Sequence, residues 1–264
     1  MRSASSAVLA VLVVLTGVVV VANAACARSS APPPPREENE ASAPVSTPPA
    51  PPPQPIEMKE VAVPGDRTAW VLSGAREHRM RMVFLAGMCV HPLGYTQSFA
   101  HAAASRGDLL TLEGDLSCSA DGTMRMWSSD LAAMSRRIDA AYRAAGLGDE
   151  ARDVTLIGYS QGAERAERLV AAYPAKYRRA ILIASPIVPD PQRLRTLEGA
   201  VLMAGERDLQ EKMREGQRRL ERAGIPATFV LIPEARHGQM GPTPDATMAN
   251  AFDILERTSV GNER

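Results

Sequence analysis

Apolar residues occur in short unbroken runs that alternate with longer stretches in which they recur every three or four positions, from residue 68 to the C-terminus. Continuous runs bounded by Gly, Pro or charged residues predict strands buried on both faces, and the helical spacing predicts amphipathic helices. Thr68 to Leu72 reads as an early strand, Met80 to Ala86 (MRMVFLA) as a second that stops at Gly87, and Leu109 to Leu112 as a third that runs into Glu113-Gly114-Asp115. Leu131, Met134, Ile138, Ala141, Tyr142 and Ala145 then line one face of a helix that Gly146 stops. Asp153 to Ile157 predicts a strand, and Gln161 to Tyr173 a helix ended by Pro174. Ala180 to Ala184 and Ala200 to Ala204 are two more strands. Leu209, Met213, Leu220 and Ala223 mark a helix before Gly224, Ala227 to Ile232 the last strand, and Asp245 to Glu256 a closing helix. Strands separated by helical crossovers run parallel. The predicted fold class is therefore α/β: a mostly parallel central sheet with helices on both faces, without internal repeats.

Before residue 58 the pattern changes twice. Met1-Arg2 precedes an apolar run from Ala7 to Ala22, short for a membrane span and suited to the apolar region of a secretory leader. Ala22-Asn23-Ala24 fits signal-peptidase cleavage. Ala24-Ala25-Cys26 fits the end of a lipoprotein signal, with Asn23 where Leu is usual and Cys26 as the lipidated residue. An uncleaved anchor is the third reading, and all three export the chain to the periplasm, the cell surface or the medium. Residues 31–55 hold 11 of the 21 prolines and predict an extended, disordered spacer that builds no core. The expected organisation is thus a leader over 1–25, a linker over 26–57 and one domain over 58–264.

Charge and cysteine usage narrow the chemistry. The 264 residues carry 30 Lys plus Arg against 30 Asp plus Glu, so no basic footprint for nucleic acid exists. Three cysteines and four histidines are too few and too scattered for a zinc framework, so no metal is expected; no organic cofactor is expected either.

Gly158-Tyr159-Ser160-Gln161-Gly162 directly follows the strand DVTLI and opens a helix. G-x-S-x-G in that setting is a nucleophile elbow: a serine on a tight turn between strand and helix projects its hydroxyl outward. Side chains at Gly158 or Gly162 would collide with strand or helix, and the Gln161 N–H points toward a developing oxyanion. A serine hydroxyl needs a base, and His237 lies on the loop after the last strand, at the same sheet end. His91 stays open as a substrate- or oxyanion-loop residue, His101 reads as a helix residue, and His78 falls at the other sheet end. The acid that orients the imidazole is Asp208, after the strand AVLMA, with Asp190 and then Glu206 as alternatives.

The order Ser160, Asp208, His237 in these strand contexts resembles the α/β-hydrolase superfamily over residues 65–258, and GYSQG is similar to the elbow of its small carboxylesterase, acyl-thioesterase and dienelactone-hydrolase-like groups. The segments GERD and ARHG sit where that family keeps its acid and its histidine. The resemblance implies a second oxyanion donor in the loop after MVFLA, often written His-Gly-x. Here that segment is Ala86-Gly87-Met88, which makes the Met88 backbone N–H the implied donor, with Ala in place of His. It further implies that the strands before Cys89 and Cys118 are neighbours, close enough for a Cys89–Cys118 disulfide in an exported protein. Pro186 to Leu197 is too short for a cap, so an open site is expected.

The activity expected is hydrolysis of a small-molecule carboxylic ester or thioester through an acyl-enzyme, by a monomer tied to the membrane, if at all, through its N-terminal lipid or anchor. The alternatives are acyl transfer and a surface-tethered non-catalytic binding module. Trp127 and Tyr159 read as pocket-wall residues, with Tyr159 equally readable as a cover on the elbow that touches no substrate. Met88, Met124, Met126 and Met240 read as core fillers or a flexible rim, and Arg125 as an exposed loop residue or an anion anchor.

Overall fold

A computed structural model describes residues 56–74 and 80–261. The expected leader, the Pro-rich tract, Cys26 and His78 lie outside the described residues. In chain order the elements are β1 (Lys59–Val61), β2 (Ala69–Leu72), β3 (Met80–Leu85), α1 (Leu93–Ser98), α2 (Ala100–Ala104), β4 (Gly107–Leu112), β5 (Leu116–Ser117), β6 (Arg125–Met126), α3 (Leu131–Ala144), β7 (Val154–Tyr159), α4 (Gln161–Ala172), β8 (Tyr177–Ile183), α5 (Pro191–Leu194), β9 (Gly199–Gly205), α6 (Glu211–Arg222), β10 (Ala227–Ile232) and α7 (Pro244–Gly261).

Eight strands form one sheet in the order β1-β2-β4-β3-β7-β8-β9-β10. From β4 to β10 every pairing is parallel, while β1 and β2 add an antiparallel edge. The inner strands β3, β7, β8 and β9 are predominantly apolar because both faces are covered. On β3, Met82 and Phe84 pack with Phe99, Ala103, Met248 and Phe252 from the side of α2 and α7. Val83 and Leu85 face the other layer, with Ile138, Ala166 and Leu220 from α3, α4 and α6. Each fully buried Val, Leu, Ile, Phe or Met among them contributes about 1.5–3 kcal/mol.

Most expected elements form within a few residues of their predicted bounds. β8 starts earlier than its apolar run because Arg178 and Arg179 enter the strand with ion-pair partners, Arg178 on Glu198 and Arg179 on Asp153. β1, the two-residue strands of the β5–β6 hairpin and the short helices α1 and α2 are too brief for a periodic signal. Parallel pairing brings the loops after β3, β7, β9 and β10 to one end of the sheet, where sites form in α/β folds.

Candidate functional site

The loop after β7 holds Ser160 at φ 52° and ψ −116°, a left-handed conformation that costs a non-glycine residue roughly 1–3 kcal/mol. It persists because its surroundings fix it. The Ser160 N–H donates to the Ile183 carbonyl (2.8 Å), and the Ser160 carbonyl accepts the N–H groups of Ala163 and Glu164 that start α4. A Cβ on Gly162 would overlap the carbonyl oxygens of Leu85 and Ala86, and one on Gly158 would overlap the Gly162 carbonyl. Strand, turn and neighbouring loop approach to backbone contact here, and only glycine fits.

The loops after β9 and β10 are joined to each other. The N–H groups of Glu206 and Arg207 donate to the carbonyls of Ile232 and Ala235 (both 2.9 Å), and the Glu206 carboxylate accepts the Glu234 N–H (2.8 Å). This places Asp208 Oδ2 2.9 Å from His237 Nδ1, while His237 Nε2 lies 3.1 Å from Ser160 Oγ. Asp208 is 10% exposed, and its other oxygen accepts the Leu209 N–H (2.7 Å). A carboxylate only accepts, so the Nδ1 proton sits between Asp208 and the ring, and Nε2 faces Ser160 with its lone pair. Two aromatics, the buried Tyr159 and the half-buried Tyr95, fix the histidine loop: the Tyr159 hydroxyl accepts the Gly238 N–H (2.7 Å), and the Tyr95 hydroxyl donates to the Gly238 carbonyl (3.2 Å). The Tyr159 ring also meets His237 edge-on at 5.8 Å, and burial pushes both phenol pKa values up.

The alternative acids take other roles. Asp190 caps α5 by accepting the Gln192 N–H (2.9 Å), and Glu206 supports the histidine loop as described. His91 stacks edge-on with Trp70 at 5.2 Å and lies 3.5 Å from Glu113, and His101 sits on α2.

Met88 lies in the loop after β3 with its side chain 57% exposed. Among the described residues, neither its N–H nor that of Gln161 has a protein acceptor, whereas the next loop residue, Cys89, donates to the Arg125 carbonyl (2.7 Å). Cys89 and Cys118 form a disulfide with Cα atoms 5.4 Å apart. Arg125 is not an anion anchor: its guanidinium is bound to the carbonyls of Gly114 (3.0 Å) and Asp115 (2.7 Å). Trp127 is not a pocket wall either. It is 2% exposed within the core, and its Nε1–H donates to the Ala86 carbonyl (2.9 Å). Tyr159 is equally buried and serves the histidine loop. Sequence reasoning missed Tyr95 and the Gln161 side chain, because neither lies in a motif that names its partner.

A cleft of about 670 Å³ opens between the loop after β3 and the histidine loop, lined by Val90, Tyr95, Met124, Met240, Pro242 and Pro244 among others. Met124 and Met240 thus contribute to a rim, whereas Met126 belongs to β6. Among the described residues, no group of three His, Cys, Asp or Glu side chains is placed to hold a metal ion.

No protein-family profile matches the chain, nor does any curated protein sequence. Solved structures do. A bacterial membrane phospholipase A, described as a virulence factor, superposes with a TM-score of 0.55 at 16% identity, over 77% of this chain and 87% of its own. An α/β-hydrolase enzyme from the metagenome of sediments of the Mar Chica lagoon, Morocco, gives 0.53 at 13% identity, over 76% and 98%. The 2-hydroxy-6-oxo-6-phenylhexa-2,4-dienoate hydrolase of Rhodococcus sp. strain RHA1 gives 0.55 at 13% identity, over 76% and 99%.

Proposed function

We propose that this chain, which has the α/β-hydrolase fold, is an exported serine hydrolase of carboxylic esters or thioesters. The observation that carries the reading is the single histidine that touches both Ser160 and Asp208, at 3.1 and 2.9 Å. Ser160 Oγ attacks the substrate carbonyl as His237 Nε2 takes its proton. The carbonyl π bond becomes an oxyanion, held by the N–H groups of Met88 and Gln161. Collapse breaks the bond to the leaving group, which departs as an alcohol or thiol carrying the proton from His237. Water, deprotonated by the same Nε2, then attacks the acyl-enzyme and releases the acid with Ser160 restored. Asp208 keeps the ring in its working tautomer and stabilises the imidazolium. The cleft beside the histidine loop offers apolar walls to an acyl or alcohol group. Fold neighbours named as phospholipase and hydrolases support hydrolysis as the reaction class, and the leader expected at residues 1–25 supports export.

The test is labelling of the purified protein with a fluorescent fluorophosphonate, which reports an activated serine. Wild type is expected to label and to hydrolyse short-chain nitrophenyl esters, and folded Ser160→Ala to do neither. A folded wild type that does not label would overturn the reading in favour of a non-catalytic binding module.

A further inference from the structure

The segment from Gly114 to Trp127 contributes no residue to the reacting centre, yet its contacts converge on both proposed oxyanion donors. On one side of Met88, the Ala86 carbonyl accepts the Trp127 indole N–H (2.9 Å). On the other side, Cys89 is held three ways: its N–H donates to the Arg125 carbonyl (2.7 Å), its sulfur is bonded to Cys118, and the adjoining Val90 bridges to Arg125. Met88 is thus suspended between two anchors, and both belong to the same segment. Cys89 also sits at φ 58°, so the turn that presents the Met88 N–H is one an unconstrained chain would leave.

The segment is itself cross-linked by hydrogen bonds and is fastened to the elbow. The Arg125 guanidinium closes its base on the carbonyls of Gly114 and Asp115, and the Cys118 N–H donates to the Met124 carbonyl (2.8 Å). The Gln161 side-chain amide then binds both backbone groups of Trp127: Oε1 accepts the Trp127 N–H (2.9 Å), and Nε2 donates to the Trp127 carbonyl (3.2 Å). One residue therefore carries an oxyanion N–H on its backbone and, on its side chain, the clamp that ties the opposite donor's support to the elbow.

We infer that residues 114–127 form a brace that sets the spacing of the two oxyanion donors, with Gln161 and Trp127 as positioning residues and the Cys89–Cys118 disulfide as its covalent, reducible part. This rests on the hydrolase reading of Ser160. It also gives Ala86 a part: its backbone carbonyl lies against Gly162 and accepts the Trp127 indole N–H, so the placement of that loop passes to Trp127. An oxyanion donor acts only when it lies about 2.7–3.1 Å from the developing charge, so a sub-ångström displacement is enough to weaken it.

The test uses the full chain, with a nitrophenyl ester for turnover and a trifluoromethyl ketone ester analogue, whose adduct with Ser160 carries the oxyanion. Gln161→Met keeps side-chain length and removes both hydrogen bonds to Trp127, Trp127→Phe removes the bond to Ala86, and phosphine reduction converts the disulfide to two thiols without altering the core. For each, kcat is expected to fall about 10- to 100-fold with KM within about twofold, and the inhibition constant of the ketone to rise by the same factor as kcat falls. A merely structural role would lower the melting temperature and leave the ketone's affinity unchanged. Wild-type kcat and ketone affinity in folded Gln161→Met and in the reduced protein would refute the brace alone. An untreated, folded wild type without turnover or labelling would refute the hydrolase reading and the brace with it.

Discussion

Glu167 lies on the buried side of α4, on the helix that the elbow starts, and its side chain has no exposed surface. One carboxylate oxygen accepts from Arg193 (3.1 Å) and from the Asp190 N–H (3.3 Å), and the other has no hydrogen-bond partner among the described residues. Burial disfavours the charged form more than Arg193 and Asp190 favour it, so the carboxyl is pushed up from its ordinary 4.5 to about 7. Between these two values the folded protein binds more protons than the unfolded chain. The contribution of Glu167 to stability is therefore greatest below about pH 4.5, falls as pH rises toward 7, and levels off above it. With about 1.36 kcal/mol for each tenfold difference in proton affinity, this one side chain removes on the order of 3 kcal/mol across that window. Glu167→Gln keeps the volume and an oxygen for both hydrogen bonds, and it does not titrate. Urea unfolding of the two proteins from pH 4.5 to 8 isolates the effect as a difference of two curves, in which ionisations elsewhere cancel. The variant is expected to gain on the wild type steadily from pH 5 to 7 and not beyond. Curves that stay parallel within about 0.5 kcal/mol would refute the assignment of a buried carboxyl pushed up to about 7.

Two further outcomes follow from the site. Asp208→Asn, which leaves the shape of the site intact but no longer enforces the Nδ1–H tautomer, is expected to lower kcat on the order of 10⁴-fold, while Asp190→Asn at the cap of α5 leaves turnover within about twofold; steady-state kinetics on a nitrophenyl ester separate the two. Gly162→Ala drives a methyl into the carbonyls of Leu85 and Ala86, and is expected to cost at least about 1–3 kcal/mol by thermal unfolding and to abolish fluorophosphonate labelling, because the strained Ser160 turn has no room to relax.

The fold could be read from the sequence because burial on both faces of a parallel sheet leaves a local mark. MVFLA, AILIA and AVLMA are unbroken apolar runs for that reason, and the helices between them carry a complementary stripe. The charged start of β8 was not legible, since Arg178 and Arg179 take partners, Glu198 and Asp153, that lie some twenty residues away. The elbow announced itself because its two glycines answer a steric demand within five residues.

The rest of the site required tertiary structure. Asp208, Asp190 and Glu206 all follow strands near the same sheet end, and only the stitching of the β9 and β10 loops turns Asp208 to His237 while giving Glu206 to the backbone of Glu234. Trp127, Arg125 and Gln161 look in sequence like a wall, a loop cation and a helix start. Their partners are the carbonyls of Ala86, Gly114 and Asp115 and the backbone of Trp127, and backbone groups leave no signature in side-chain chemistry. The sequence by itself determined which segments are buried and where the chain turns at Ser160. Which side chains meet was decided by the order of strands in the sheet, because hydrogen bonds to distant backbone depend on where the chain returns and not on the residues that flank them.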